Sequence, residues 1–296
     1  MNPFNQYNET DRLRKVIIGR YDTYSRVPEY IERVNPEQEK GLPDINQLRR
    51  EMENFRIALI KEHVDVLTPE PVGKFVYDQL TPRDIGVTIG NRFLLCNMTK
   101  KSRRYEAAGI FSYLNQQVEK EPNVLVPDSP AALMEGGDIV VDKGMIFVAQ
   151  TERTNKEGID YVTRNFGKEF NVIPIQTQSK KKGENILHLD CIFLPVGEKH
   201  ALIYENGFKD IPLEIRGNYE LIPINHNEQQ ALVTNVLSLS KKKVISRKHE
   251  TAKRVNAVMM KKGIEVIELP FDAAPSTGGS FRCCTLPLER ESREIN

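Results

Sequence analysis

The stretch Thr81-Pro-Arg-Asp-Ile-Gly-Val-Thr-Ile-Gly-Asn-Arg-Phe-Leu-Leu95 decides the fold. Two apolar runs flank Gly90-Asn91, a dipeptide suited to a tight turn, and so spell a β-hairpin. The plan recurs downstream. Gly137 to Val148 is a second hairpin and His188 to Tyr204 a third. A helical stretch and a short strand follow each one: about Arg104 to Val118 then Asn123 to Pro127, about Lys156 to Asn165 then Asn171 to Ile175, and a weaker helix before Glu220 to Ile224. Asp84, Asp138 and Asp190 open the hairpins, 54 and 52 residues apart (138 − 84 and 190 − 138). Val244 to Ser246, a helix from about Glu250 to Lys262 with Gly263 as its C-cap, and a strand over Ile264 to Leu269 supply most of another unit. Upstream, Leu13 to Gly19 reads as a strand. Asp44 caps a helix over roughly Gln47 to Glu62, with Leu48, Met52, Phe55 and Leu59 on one face, and a strand over Val64 to Leu67 follows. With the apolar run after Cys283, these elements bring the count to about five units.

A period of this length marks repeated supersecondary units. An open array needs polar capping repeats, and no such caps are evident. The expected α/β architecture is therefore a ring of ββαβ units, strands inside and helices outside. Equivalent points of the repeats then face one axis, which would bring Asp84, Glu135, Asp138, His188, Asp190 and Cys283 into a central pocket. The polar, proline-bearing stretch from Arg20 to Asn46 reads as a long loop suited to a lid.

Composition narrows the function classes. The 296 residues carry 42 basic and 41 acidic side chains, a formal net charge of +1. That balance offers no field for nucleic acid or an anionic membrane. No apolar run approaches a membrane span, and the polar first ten residues lack a signal-peptide core. Cys96, Cys191, Cys283 and Cys284 show no zinc spacing, so neither a metal nor a cofactor is expected and a reducing cytoplasm fits.

Individually, the polar residues have bland readings. Asp at a strand start is usually a turn residue, a lone His is usually structural, and free Cys is among the most buried residue types. Together they form an inventory of carboxylates, one imidazole and one thiol. Carboxylates without a metal suit a cation, and a planar guanidinium pairs with them bidentately. A thiolate attacks electrophilic carbon, and His188 has the proton-transfer chemistry to assist it. Strand alternation in His188-Leu189-Asp190 would put His188 and Asp190 on one face, and only one of Cys283 and Cys284 can face the pocket. Cys96 and Cys191 read as packing residues. His63, His200, His226 and His249 read as surface residues.

Glu135-Gly-Gly-Asp138, His188-Leu-Asp190 and Arg282-Cys283-Cys-Thr-Leu-Pro-Leu288, in this order and spacing, resemble the guanidino-group-modifying enzymes of the pentein fold, a five-bladed α/β propeller. The resemblance runs from Leu13 to Arg290, and Arg83-Asp84 with Thr88-Ile-Gly90 makes it nearest to arginine deiminases. It implies one catalytic domain over residues 1–296. Cys283 would be the nucleophile, Glu135 would orient His188, and Asp84 and Asp190 would clamp the guanidinium. Asp138 would be a supporting residue of the Gly-Gly-Asp turn on the substrate-binding side, and Arg153 and Arg103 or Arg104 would meet the substrate. The helical insertion of longer arginine deiminases is missing, and Asp78 would repel a substrate carboxylate. Cys-Cys pairs in some dimethylarginine hydrolases keep that substrate open.

The expected activity is hydrolysis of a C–N bond in a small guanidino compound, giving a ureido product and ammonia. Dimethylarginine hydrolysis and amidino transfer are the alternatives within the class, and a non-catalytic ring that binds arginine-like ligands is the alternative outside it. The resemblance adds an expectation of a homodimer.

Overall fold

The protein is described by a computed structural model that covers residues 3–22, 44–73, 76, 79–118, 123–179, 184 and 186–291. The expected lid falls largely on residues 23–43, and Asp78 also lies outside the described residues.

Fifteen strands run in chain order: β1 (Leu13–Ile18), β2 (Asp65–Leu67), β3 (Gly86–Ile89), β4 (Arg92–Leu95), β5 (Val124–Leu125), β6 (Ile139–Asp142), β7 (Met145–Gln150), β8 (Asn171–Gln176), β9 (Phe193–Val196), β10 (His200–Ile203), β11 (Glu220–Pro223), β12 (Leu237–Ser240), β13 (Lys243–Arg247), β14 (Glu265–Leu269) and β15 (Thr285–Arg290). They form five three-stranded sheets, ordered β15-β1-β2, β3-β4-β5, β6-β7-β8, β9-β10-β11 and β12-β13-β14. In every sheet the first pair is antiparallel and the second parallel. A parallel return needs a crossover. The helices α1 (Ile45–Lys61), α2 (Phe111–Val118), α3 (Lys156–Phe166), α4 (Leu213–Asn218) and, after the short connector α5 (His226–Gln230), α6 (Lys253–Lys261) supply one crossover per sheet. The two ends of the described chain meet in one sheet, through β1 and β15.

Local chemistry accounts for these elements. Asp44 accepts from the amides of Asn46 and Gln47 at 2.7 and 2.9 Å and so starts α1. Leu48, Met52, Phe55 and Leu59 are its buried stripe, and Phe55 packs edge-on against Phe271 and Phe281 beneath β15. The strands that open three of the hairpins, β3, β6 and β9, are buried at every residue, as strands covered on both faces must be.

Three expectations are corrected. The helix expected from about Arg104 begins only at Phe111, because Lys101–Arg103 and Glu106–Ile110 are 3₁₀ turns. Those tighter turns fold Arg103 back onto Glu106 at 2.8 Å. His188-Leu189-Asp190 is not a strand. His188 is extended, but Leu189–Cys191 is a 3₁₀ turn. β12 went unread, since LSLS carries no turn signal of its own.

Candidate functional site

A short 3₁₀ turn precedes each of three hairpins: Pro82–Ile85 before β3, Gly136–Asp138 before β6 and Leu189–Cys191 before β9. A tight turn at the mouth of a hairpin aims side chains out of the sheet plane, here into the interior. Asp84, Glu135, Asp138, His188 and Asp190 are all 3% exposed or less, and Cys283 is 4% exposed. Glycine makes the convergence sterically feasible. A Cβ on Gly137 would lie 2.7 Å from His188 Cγ and Nδ1 and 2.9 Å from Asp84 Oδ1, while one on Gly136 would lie 2.1 Å from the Arg83 carbonyl oxygen.

The imidazole sits between two carboxylates. His188 Nε2 is 2.8 Å from Glu135 Oε2, and Nδ1 is 3.7 Å from Asp84 Oδ1. Burial works against its charged form, but Asp84 and the Glu135 hydrogen bond outweigh it and push the histidine up to about 10. Asp84 Oδ2 accepts from Arg103 Nη1 at 2.7 Å. His188 and Arg103 hold Asp84 below the usual carboxylate range despite its burial. Asp84 Oδ1 is buried and accepts no hydrogen bond. Arg153 Nη1 lies 3.5 Å from Glu135 Oε1, is buried, and also makes no hydrogen bond.

The thiol lies against the remaining acid. Cys283 Sγ is 3.8 Å from Asp190 Oδ2, the oxygen that accepts from Arg282 Nη1 at 2.9 Å. Burial first, then Asp190 and Asp84, push the Cys283 thiol well above its ordinary value. The Cys283 amide donates to Asn235 Oδ1 at 3.1 Å. Cys284 instead lies in the apolar cluster with Leu13, Phe271 and Phe281, so the paired thiols do part, although both sit in the turn ahead of β15 and not in a strand.

Two residues expected on the substrate-binding side have protein partners. Asp138 accepts from the Thr151 and Thr154 hydroxyls at 2.7 and 2.6 Å through Oδ2, and from the Leu189 amide at 3.0 Å through Oδ1. It ties one hairpin mouth to the next. Arg104 is exposed and donates through Nε to the Met98 carbonyl at 2.9 Å, so Arg103 alone of that pair meets the cluster. Cys191 is buried as expected, yet its sulfur lies 3.8 Å from Asp190 Oδ1. Sequence reasoning missed Thr151, Thr154, Asn235 and Glu9, which carry no motif.

Asp84, Glu135 and His188 each offer one ligand atom within 4.8 Å of the others, the spacing of a metal site. Arg103 already takes one Asp84 oxygen, and Glu135 Oε2 is engaged by the imidazole. The donor set suits an organic cation better.

The family model for eukaryotic N,N-dimethylarginine dimethylhydrolases matches residues 33–290. The chain belongs to this family. It thereby joins the pentein superfamily of guanidino-modifying enzymes, as the sequence motifs indicate, although it is the dimethylarginine branch whose model matches. The uncharacterised protein YkgA of Bacillus subtilis (strain 168) is 34% identical over 234 residues, covering 79% of this chain and 77% of its own. Among solved structures, the amidinotransferase SxtG of saxitoxin biosynthesis in Microseira wollei superposes with a TM-score of 0.83 at 21% identity, covering 99% of both chains. A dimethylarginine dimethylaminohydrolase from Pseudomonas aeruginosa, solved with citrulline, gives a TM-score of 0.75 at 19% identity, covering 93% of this chain and 99% of that one. These two likenesses show a shared fold. Among the described residues of this family member, no helix is long and apolar enough to cross a membrane.

Proposed function

We propose that this chain is a cysteine-dependent amidine hydrolase that cleaves a C–N bond of an arginine-type guanidino compound. The observation that carries the reading is the buried, unpartnered Asp84 Oδ1 beside His188, in the same cluster as a thiol. A buried carboxylate oxygen without a donor is costly, and a guanidinium N–H is a donor of fitting charge and shape. Asp190, on the thiol side, offers the second carboxylate. A planar cation between the two would put its central carbon in front of Cys283.

The chemistry follows from these groups. Cys283 Sγ attacks the guanidinium carbon while His188 gives its proton to the departing nitrogen, leaving an amidino thioether on the enzyme. Water attacks next and His188 takes one of its protons; the C–S bond then breaks as the adduct's hydroxyl proton passes to the departing sulfur, which frees the ureido product and restores the Cys283 thiol. Glu135 holds His188 in register, and Arg103 holds Asp84. Arg153 is available for the distal end of the substrate. The thiol, neutral when surrounded by acids, ionises once the cationic substrate balances Asp84 and Asp190.

In this reading the five sheets stand as blades around one axis, and residues 1–296 form one catalytic domain. The chain works in a reducing cytoplasm as a homodimer, without nucleic-acid or membrane partners. The family model favours a second reading, an N-methylated arginine as substrate with an alkylamine leaving. A ureido-product colour assay with arginine, agmatine and methylated arginines tests both, with ammonia and alkylamine measured in parallel. Turnover that needs Cys283 supports the proposal. Consumption of the guanidino substrate only when an amine acceptor is added, with a new guanidine and no ureido product, would make the enzyme an amidinotransferase. No turnover of any guanidine, in wild type as in Cys283→Ser, would favour a ligand-binding ring.

A further inference from the structure

The segment ahead of β1 places a carboxylate where no hairpin supplies one. It is pinned to three sheets. Asn5 donates to the Leu288 carbonyl at 3.0 Å, and Gln6 and Gly90 exchange backbone bonds at 2.8 Å. The Glu9 amide donates to Asp142 Oδ1 at 3.1 Å. The Glu9 side chain, 2% exposed, takes Arg282 Nε at 2.9 Å on Oε1 and Nη2 at 3.3 Å on Oε2. Arg282 Nη2 also donates to the Ile139 carbonyl at 3.0 Å. Only Nη1 is left for Asp190.

A guanidinium free to choose grips a carboxylate through two parallel bonds. With one edge committed to Glu9, Arg282 instead holds Asp190 through a single bond, leaving Asp190 Oδ1 outside its grip. The charges around this chain of contacts are defined. Cys283 faces Asp190 and Asp84, with Cys191 and Cys284 nearby. Glu9 faces Arg282, Arg83 and Arg290, with Asp142 and Tyr219 on its other side.

We propose that Glu9 is a positioning residue of the thiol site: through Arg282 it limits the grip on Asp190 and sets the charge felt by Cys283. Removing the Glu9 charge leaves an uncompensated guanidinium one residue from the thiol and frees its fork to close on Asp190. Both changes weaken the negative field at sulfur and favour the thiolate. The inference rests on Cys283 being the reactive thiol, and its test separates the two ideas.

The experiment is iodoacetamide alkylation as a function of pH, read for each cysteine by peptide mass spectrometry, with circular dichroism as the check on folding. Wild type, Glu9→Asp, Glu9→Gln and Arg282→Gln are compared. The alkylation midpoint of Cys283 is expected to fall by about one pH unit in Glu9→Gln, to stay nearer wild type in Glu9→Asp, and to rise in Arg282→Gln. If Arg282→Gln does not fold, the Glu9 pair alone decides. A Glu9→Gln midpoint unmoved or raised overturns the role of Glu9. Shifts of one sign in Glu9→Gln and Arg282→Gln, or loss of fold in every variant, would make the pair a scaffold only and also overturn it. Turnover of a guanidino substrate retained in Cys283→Ser would instead sink the nucleophile reading.

Discussion

The two sides of the buried cluster are built alike, yet one side's group is charged and the other's is neutral. On one side His188 lies between Glu135 and Asp84, and the acids keep it cationic. On the other, Cys283 lies against Asp190, and the acids keep it neutral. A carboxylate beside a base stabilises its proton, and a carboxylate beside an acid does the same. One arrangement therefore leaves both the imidazole and the thiol protonated near neutral pH. The imidazole is ready to give its proton, while the thiol waits for a cation. In the proposed reaction, substrate binding and nucleophile activation become the same event.

The sharpest break in that comparison is loss of the sulfur. Cys283→Ser should lower turnover by about 10⁴-fold or more, as removal of a nucleophile does in other covalent enzymes. Cys284→Ala, one residue on in the apolar cluster, should keep the rate near wild type and cost about 1 kcal/mol in a denaturant melt. Equal losses in the two variants would contradict the assignment.

On the imidazole side, Glu135→Gln removes the hydrogen-bonded anion that keeps His188 charged. Turnover should fall by about 10²–10³-fold, and the alkaline limb of its pH profile should move down. The sign is fixed by the direction of the shift. A histidine raised to about 10 contributes stability that is fully present below its unfolded value and lost as pH rises through about 10. Thermal melts of wild type should therefore lose a stabilising increment between neutral pH and pH 10 that is smaller in Glu135→Gln, where Asp84 alone of the two flanking acids remains. An identical slope in both would refute the charged imidazole.

Gly137→Ala tests the geometry without touching charge. The new methyl would meet His188 and Asp84 under 3 Å, and the His188 ring would have to turn. A loss of about tenfold to a hundredfold in kcat is expected in protein that remains folded. Asp138→Asn should act on stability first, at about 1–3 kcal/mol, because an amide nitrogen or oxygen must face three donors. The smallest effect separates two neighbours: Arg103→Ala should raise KM as Asp84 loses its tether, while Arg104→Ala should leave KM unchanged.

Much of this was legible in the chain because the repeat is written in local signals. Gly90-Asn91 closes a hairpin, Asp44 caps a helix, and the spacing of Asp84, Asp138 and Asp190 gives the period. Local signals also explain what was misread. His188-Leu189-Asp190 alternates like a strand, but the turn that aims both side chains inward is set by the Asp138 bond to the Leu189 amide, which is a tertiary contact. Arg103 and Arg104 are adjacent and alike as sequence, and the 3₁₀ turn that ends at Arg103 leaves only that one against Asp84. Glu9 sits in a polar segment with no periodicity. Its place depends on backbone bonds to residues 90 and 288, which no local rule encodes.

The most direct measurement is mass spectrometry of protein quenched during turnover with guanidino substrates. An amidino or alkylamidino mass should appear on the peptide that carries Cys283, reside on that sulfur and not on Cys284, and vanish in Cys283→Ser. Sustained turnover with no such adduct under any quench, or with the mass on another cysteine, would contradict the account.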